Sequence, residues 1–285
     1  MDNLHSRVFY TLFEKEGLTP HVVSQFQSLI WRYYREHGRT FPWRETDNPY
    51  HILVSEIMLQ QTQTSRVASK YSEFVSTFPD FFALAKASLR DILLVWQGLG
   101  YNRRALALQR TAQEVVAQFD GQLPSGPEVL QQFQGIGQYT AAAVAAIAFN
   151  KPTVFLETNI RTVFLHHFFE KSEKITDRNI FPLVKATLVK ENPREWYYAL
   201  FDYGAMLKRK RKAIAKITRH RQSPFRGSDR EMRGRILQLV LARESIAEQE
   251  LAGLLKENNG RLRRIMTQIQ EEGFIDIVDG LIRIK

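Results

Sequence analysis

FQGIGQYTAAAVAAIAF, residues 133–149, decides the fold of this 285-residue chain. Gly135 and Gly137 flank a single isoleucine, and an alanine-rich run follows. Glycine permits a sharp turn and a close approach of the backbone to another group, and the exposed amides at a helix N-terminus can bind an anion. The segment predicts a tight turn between two helices, with Gly135, Gly137, Gln138 and Thr140 on a phosphate. The alanine run is equally typical of a tightly packed core helix.

Helical periodicity extends through most of the first 220 residues. Apolar residues recur at spacings of three and four in PYHILVSEIMLQQTQTSRVASKYSEFVSTF (49–78), LRDILLVWQGLG (89–100) and NRRALALQRTAQEVVAQF (102–119), and each stretch is predicted to be helical. Strand-like alternation is not seen here, so the main body is predicted to be all-α. Together with the glycine turn, this pattern is the helix-hairpin-helix signature, which holds a phosphate without reading sequence.

Positive charge is concentrated in one segment. The net charge is +10, and residues 208–235 contain twelve Lys or Arg against two acids, so the rest of the chain is neutral. A solvated surface or linker is one interpretation, but a single dense patch is also typical of phosphate binding. The segment begins with four predicted DNA contacts: Lys208, Arg209, Lys210 and Arg211.

The amino-acid composition limits the kinds of protein that this chain can be. With 44% hydrophobic and 25% charged residues, the chain is typical of a soluble globular protein. It has no apolar run of 18 residues and no signal-peptide pattern at its N-terminus, so we expect a cytoplasmic protein that does not span a membrane. The absence of cysteine excludes disulfides, thiolate zinc sites and iron–sulfur clusters. No metal or cofactor is expected, and the adjacent His166 and His167 are assigned to surface or core.

A second module follows the Ser/Pro/Gly-rich stretch SPFRGSDR. Three amphipathic helices are predicted, and FIDIVDGLIRIK at the C-terminus predicts a hairpin with a type I′ turn at Asp279-Gly280. Three helices and a hairpin are typical of a winged-helix domain, so we predict a helical domain over 1–220, a basic linker over 221–229 and a winged-helix domain over 230–285. Its third helix carries three predicted DNA contacts, Arg261, Arg263 and Arg264. The alternative is a module that docks proteins.

A carboxylate lies within the apolar pattern of SEIMLQQTQ. Glu56, Gln60 and Gln63 fall at i, i+4 and i+7, so a polar stripe is predicted on one face of an otherwise apolar helix. A partly buried glutamate has a raised pKa, which suits a general acid near neutrality. A purely structural network of buried polar groups would give the same pattern.

Five segments in matching order resemble the MutY adenine DNA glycosylases of the helix-hairpin-helix superfamily. They are GRTFPWRETDNPYHILVSEIMLQQTQTSRV, WQGLGYNRRALALQ, FQGIGQYTAAAVAAIAF, VFLETNIRTVF and YYALFDYGAML, within residues 24–207. The resemblance implies a mostly α glycosylase fold of two helical subdomains. It further implies a monomeric, nucleoid-associated enzyme of base excision repair that flips adenine or a related purine out of mispaired or damaged double-stranded DNA and cleaves its N-glycosidic bond.

The resemblance also assigns catalytic residues. Glu56 takes the position of the glutamate that protonates the adenine. Glu157 takes that of an aspartate in LDGN that stabilises the sugar cation, and Asn159 accompanies it; this chain reads LETN, so the acid has one extra methylene. A displacement of about 1 Å can cost on the order of 10²-fold in rate. Tyr139 replaces the lysine that forms a Schiff base in bifunctional relatives, so no lyase activity is expected. An ion pair of Glu157 with Arg161 is the structural alternative.

Other positions match the family's substrate contacts. Arg39, Arg44 and Asp202 match base-contacting residues, and Gln61 and Tyr101 match residues that wedge into the duplex. Two features depart from the family: the four cluster cysteines are replaced by basic residues, and the C-terminal domain that reads 8-oxoguanine is replaced by the winged-helix module. Two alternatives therefore remain, a DNA-lesion-binding protein with weakened or lost catalysis and a glycosylase for a different base.

Overall fold

The computed structural model describes residues 2–169, 175–214, 225–257 and 259–285. The helices, in chain order, are α1 (Asp2–Glu16), α2 (Pro20–His37), α3 (Pro49–Leu59), α4 (Thr64–Thr77), α5 (Phe81–Lys86), α6 (Leu89–Trp96), α7 (Arg103–Phe119), α8 (Pro127–Leu130), α9 (Gln138–Phe149), α10 (Thr158–Phe168), α11 (Asp177–Thr187), α12 (Pro193–Ile214), α13 (Asp229–Leu241), α14 (Glu248–Leu255) and α15 (Asn259–Glu271). A short 3₁₀ helix covers Pro42–Arg44, and the strands are β1 (Ile246–Ala247), β2 (Ile275–Val278) and β3 (Leu281–Ile284). The predicted fold class, mostly helical with a small α+β C-terminal module, is confirmed.

The chain divides into two compact units, each formed by separate segments. The first contains Met1–Glu56, Pro124–Gln132 and Ile136–Thr218, and the second contains Ile57–Leu123, Phe133–Gly135 and Arg219–Lys285. The domain boundaries predicted from sequence stay predictions. Within them, α13 begins at Asp229 and residues 221–224 lie outside the described ranges.

The first unit is built around two wholly buried features. Every residue of α9 from Thr140 to Ala148 is buried, which small side chains permit because neighbouring helices can approach the backbone closely. A cluster of aromatic rings fills the space among α1, α2, α10 and α12; its members are Phe9, Phe26, Phe164, Phe168 and Trp196. His167 lies in this cluster with its Nε2 3.1 Å from the Tyr203 hydroxyl, and burial lowers its pKa to about 3. The histidine is thus a neutral core residue.

Helices α10 and α12 cross at Gly204. A Cβ atom at this position would lie 2.3 Å from the backbone oxygen of Asn159. Only a residue without a side chain allows this approach, which brings the first turn of α10 against α12. The glycine of FDYGAML therefore fixes the position of the helix start that carries Glu157.

The second unit contains the C-terminal module. Its sheet has the order β1-β3-β2 with antiparallel pairing, and Asp279 and Gly280 have φ of 51° and 74°, as a type I′ turn requires. Arg90 on α6 donates hydrogen bonds to the backbone oxygens of Leu241 (2.7 Å) and Arg243 (2.8 Å) at the end of α13. Glu272 accepts from Arg103 and from Arg233, so this module is bonded to the helices α6 and α7.

One predicted helix is wrong. The stretch 49–78 forms two helices, because α3 ends at Leu59 and α4 starts at Thr64. Gln61 between them has φ 55°, a left-handed conformation that an α-helix cannot contain. Gln60 and Gln63 lie beyond the end of α3, so the polar stripe of Glu56, Gln60 and Gln63 does not exist.

Candidate active site

Glu56 is a buried acid near the end of α3. Its neighbours from Ile52 to Met58 are all buried, and Glu56 itself is 9% exposed. Desolvation raises the pKa of its carboxyl group to about 7, the charge of Glu157 adds to the rise, and Arg44 opposes it. At neutral pH about half of such a group carries a proton, which is the state that a general acid needs.

Glu157 is the N-cap of α10. Its Oε1 accepts hydrogen bonds from the backbone amides of Asn159 (2.6 Å) and Ile160 (2.8 Å). Burial raises the pKa of this carboxyl, whereas those amides and the Lys208 ammonium oppose the rise. The alternative ion pair with Arg161 is wrong, because Arg161 pairs with Asp177. The helix start thus holds Glu157 as a fixed acceptor in a site that also contains an acid.

Asn159 links the same helix start to α12. Its side-chain Oδ1 accepts a hydrogen bond of 2.8 Å from Lys208 Nζ. Lys208 was predicted to contact DNA phosphates, and that role stays a prediction; in the structure its ammonium lies on Asn159, within the electrostatic reach of Glu157. Sequence reasoning missed this contact because Lys208 and Asn159 are 49 positions apart.

Tyr139 is in the first turn of α9, next to both acids. Its ring meets Phe155 edge to face with centroids 5.5 Å apart, and 37% of the residue is exposed. Desolvation and the charges of Glu56 and Glu157 raise the pKa of its hydroxyl, which stays protonated at neutral pH. The structure therefore brings three of the predicted catalytic groups into one site of the first unit.

Arg39, Arg44 and Asp202 form a second polar cluster in this unit. Asp202 is 1% exposed and accepts two hydrogen bonds of 2.9 Å from the Arg44 guanidinium. It also accepts from the backbone amide and the Nε of Arg39, both at 2.7 Å. The Arg44 guanidinium lies over the Tyr198 ring, 4.4 Å from its centroid. Asp202 therefore orients both arginines, and Arg39 is the more exposed of the two.

The glycine turn is as sharp as its sequence indicates. Gly135 has φ 83°, and Gly137 is the N-cap of α9. Gly135, Gly137 and Gln138 are exposed, whereas Thr140 is 4% exposed. An α-helix leaves its first amides without intrahelical partners, so this exposed helix start is suited to an anion.

Gln61 and Tyr101 belong to the second unit. Both are exposed and both have left-handed backbone conformations, with φ of 55° and 50°. For residues other than glycine such conformations cost of order 1 kcal/mol and persist where the surroundings hold them. Sequence reasoning missed the residue that does so, Arg104. The signal available was its position on the buried face of α7, shared with Ala105, Leu108 and Ala112.

The predicted DNA contacts of the basic segments lie in different surroundings. Arg209, Lys210, Arg263 and Arg264 are exposed, and the side chain of Arg211 lies outside the described residues. Arg261 bonds Asp229 (3.0 Å) and Glu257 (3.0 Å), and Arg264 bonds Asp229 (2.7 Å). On α15, Arg261 and Arg264 are therefore already paired with acids, whereas Arg263 is exposed.

The described ranges contain neither a candidate metal-binding cluster nor a candidate membrane-spanning helix. Over residues 2–169, 175–214, 225–257 and 259–285, no cluster of three or more His, Asp or Glu residues is arranged to hold a metal ion. None of the helices described in the same ranges is both long and apolar enough to traverse a bilayer.

Comparisons with known proteins identify relatives of this chain. Residues 54–184 match the family model described as "HhH-GPD superfamily base excision DNA repair protein". The adenine DNA glycosylase of Mycobacterium tuberculosis (strain H37Rv) is 32% identical over 247 residues, which are 79% of this chain and 81% of that protein. The adenine DNA glycosylase of Buchnera aphidicola subsp. Baizongia pistaciae is 34% identical over 187 residues, 64% of this chain and 52% of that protein. The chain thus spans about half the length of this second relative.

A solved structure described as a thermostable thymine-DNA glycosylase is also similar. It superposes with a TM-score of 0.60 at 27% identity, over 65% of this chain and 86% of that one. The resemblance to adenine DNA glycosylases is confirmed by the relatives. Together with the match to the family model, their coverage leads to one conclusion: this chain belongs to the HhH-GPD superfamily of base excision DNA repair proteins.

Proposed function

We propose that this protein is a monofunctional DNA glycosylase that removes adenine, or a related purine, from mispaired or damaged double-stranded DNA. The observation that carries the proposal is the pair of buried carboxyl groups with different surroundings. Burial raises the pKa of Glu56 to about 7, whereas Glu157 accepts two amide hydrogen bonds that oppose the effect of burial on its own pKa. Two such groups in one site are suited to two roles.

In the proposed reaction Glu56 donates its proton to the base. The bond between C1′ and the base nitrogen breaks, its electron pair leaves with the base, and positive charge develops on the sugar. Glu157, ionised and held by the amides of α10, stabilises that charge. Water then adds to C1′ and gives one proton to the Glu56 carboxylate, which restores the acid. Lys208 and Asn159 support the ionised state of Glu157, because the ammonium opposes the rise of its pKa.

The other clusters have places in this proposal. Arg39 and Arg44, oriented by Asp202, would line the pocket that receives the flipped base. The exposed start of α9 and the basic residues Lys208–Arg211 would hold the phosphates, and Gln61 and Tyr101 would fill the space left in the duplex. Tyr139 carries a hydroxyl where imine formation needs an amine, so strand cleavage by a lyase step is not part of the proposal. The protein is proposed to act as a monomer without a cofactor.

A second candidate is a glycosylase for another mispaired base. The observation in its favour is the 27% identity and TM-score of 0.60 with a structure described as a thymine-DNA glycosylase. The extra methylene of Glu157 relative to the aspartate of the adenine family also changes the site nearest the sugar. Both candidates use the same two carboxyl groups and differ in the base that the pocket accepts.

A base-release assay separates the candidates. Purified protein is incubated in single turnover with duplexes containing adenine opposite 8-oxoguanine, adenine opposite guanine, thymine opposite guanine, hypoxanthine, or an alkylated purine. The Glu56→Gln variant is the matched control because it keeps the shape of the side chain. Release of adenine by the wild type alone supports the first candidate, and release of thymine supports the second. Binding of these duplexes without release of any base would overturn the catalytic proposal and support the alternative of a lesion-binding protein.

A further inference from the structure

Two strained turns in the second unit present the exposed side chains of Gln61 and Tyr101. One turn follows α3 and the other precedes α7. Each has a non-glycine residue with positive φ at its tip, and Tyr101 is 45% exposed although its ring is aromatic. Strained residues cluster at sites where their side chains are used, and they need surroundings that fix them. The feature that fixes these two turns lies between them.

Arg104 bonds both turns with one guanidinium. Its Nη1 donates to the backbone oxygens of Ile57 (2.9 Å), Met58 (2.7 Å) and Gln60 (2.7 Å). These carbonyls belong to the end of α3 and to the first turn, immediately before Gln61. Since the last carbonyls of a helix have no intrahelical partners, Arg104 satisfies acceptors that would otherwise be left over.

The Nη2 of Arg104 bonds both turns: it reaches the far end of the first turn and also the second turn. It donates to Thr62 Oγ1 (3.0 Å), immediately after Gln61, and to the backbone oxygens of Leu99 (3.4 Å) and Gly100 (3.0 Å), immediately before Tyr101. Gln61 is therefore bracketed by two acceptors of one guanidinium, and Tyr101 follows directly on a third.

Arg104 also contacts Tyr101 itself. The guanidinium carbon is 5.4 Å from the centroid of the Tyr101 ring, within cation–π range, and the Arg104 amide donates to the Tyr101 backbone oxygen at 2.9 Å. Arg104 is 9% exposed. Burial lowers its pKa to about 10, so it remains a cation at neutral pH. Burying a charged guanidinium costs desolvation free energy, and the hydrogen bonds to the two turns offset that cost only while both turns keep this conformation.

We propose that Arg104 is a positioning residue that joins the two turns into one rigid element, and that this element holds Gln61 and Tyr101 ready to occupy the duplex while the target base is displaced. The inference rests on the proposed function, because it assumes a DNA duplex as substrate. An exposed aromatic ring can stack on a base of any identity, which fits a residue that fills space. Ordering the turns in advance removes an entropic cost from base opening.

Arg104→Lys is the informative substitution. Lysine keeps the positive charge and most of the aliphatic stem, but its ammonium has three donors and no planar fork. It therefore cannot serve six acceptors on two turns, and at least one turn is released. Arg194→Lys is the matched control: Arg194 also donates its guanidinium to carbonyls at the end of a helix, those of Ile147 and Ala148 in α9, and it belongs to the first unit, whereas both turns belong to the second.

The experiment uses the full chain and a duplex in which 2-aminopurine neighbours an adenine opposite 8-oxoguanine. Its fluorescence reports base opening, and single-turnover release is measured on the same duplex and on one in which the target base faces an abasic site and is already unpaired. We expect Arg104→Lys to slow opening and release by roughly tenfold on the paired duplex, to lose most of this defect on the unpaired one, and Arg194→Lys to match the wild type.

A double-mutant cycle with Tyr101→Ala completes the test. If Arg104 acts through the turns, Arg104→Lys should slow opening and release by a smaller factor in the Tyr101→Ala background than in the wild type, where both Gln61 and Tyr101 are present. Additive losses, or equal losses on paired and unpaired targets, would overturn the proposal.

A second variant covers the case in which Arg104→Lys does not fold, as judged by thermal unfolding. Thr62→Val removes a single acceptor of Arg104 and is expected to slow opening by a smaller factor. Unchanged opening in that variant would count against the proposal. If the wild type opens the duplex but releases no base, the proposed function fails while the fluorescence still decides the role of Arg104.

Discussion

Replacing Glu56 by glutamine should stabilise the folded protein above neutral pH while abolishing base release. The physical reason is that the two properties depend on the same buried carboxyl group. Its pKa is 4.5 in the reference state and about 7 in the folded protein, so the folded state binds more protons than the unfolded state between these values. The stability that Glu56 contributes is therefore fully present below its pKa in the unfolded state, and it is lost as the pH rises to its pKa in the folded state.

The size of the effect follows from the shift. The difference of about 2.5 between the pKa of Glu56 in the folded and the unfolded state corresponds to about 3 kcal/mol in the free energy of unfolding. This amount is lost between roughly pH 4.5 and pH 7, and the loss stays constant at higher pH. Glutamine has no charge to bury, so this loss is absent in the variant. The free energy of unfolding of Glu56→Gln minus that of the wild type should therefore rise by about 3 kcal/mol from pH 4 to pH 8. Removal of a general acid should lower the rate of release by about 10²–10⁴-fold.

Urea unfolding at a series of pH values, together with single-turnover release, tests both statements. Glu36→Gln is the matched control, because it makes the same substitution at a side chain that is 61% exposed. The wild-type rate should fall tenfold per pH unit above about pH 7, where Glu56 loses its proton. A Glu56→Gln difference that does not change with pH would refute the buried charge, and an unchanged rate of release would remove Glu56 as the acid.

Three further outcomes are expected. Glu157→Asp should preserve or raise the rate of release, because aspartate is also a good N-cap; a loss greater than tenfold would show that the extra methylene is required. Lys208→Met should move the rising limb of the pH–rate profile to higher pH, because the ammonium opposes the rise in the pKa of Glu157; a profile with an unmoved limb would contradict that contact. Gly204→Ala should lower the free energy of unfolding by about 1–3 kcal/mol and slow release, because its Cβ would overlap the backbone of Asn159. Its control, Gly253→Ala on the exposed side of α14, should be neutral or stabilising, since a Cβ there meets nothing within 4 Å.

Local patterns predicted the helices and the C-terminal module well, because their causes lie within a few residues. Helical spacing, the glycine turn before α9 and the Asp279-Gly280 hairpin all act through nearby backbone geometry. The failure at residues 60–63 has a distant cause. Residues 60–66 contain no apolar side chain, a composition that a polar helical turn could also have, and the carbonyls at the end of α3 bond to Arg104, more than forty residues later. Local propensity cannot register a helix end that is held from elsewhere in the chain.

For the candidate site, too, the sequence predicted some features and missed others. Residue types and the family resemblance pointed to Glu56, Glu157, Tyr139 and Asn159, and the structure brings them together in one unit. What they do electrostatically depends on burial and on contacts between helices, which the sequence does not contain. The pKa of Glu56 and the hydrogen bond from Lys208 to Asn159 are of this kind. A lysine in a dense basic segment is naturally assigned to phosphates, whereas the crossing of α10 and α12 at Gly204 places this one beside the start of α10.

The contacts of the C-terminal module change how a shortened form of this protein should be interpreted. Deleting residues 225–285 would take away the acceptors of Arg90 and the Glu272 partner of Arg103, leaving two cations on α6 and α7 without these partners. Such a truncation would damage the helices that lie beside both strained turns as well as remove any DNA contact of its own. Loss of activity in it would be ambiguous, so single substitutions on the exposed face of α15, such as Arg263→Ala, are the cleaner way to ask what the module recognises.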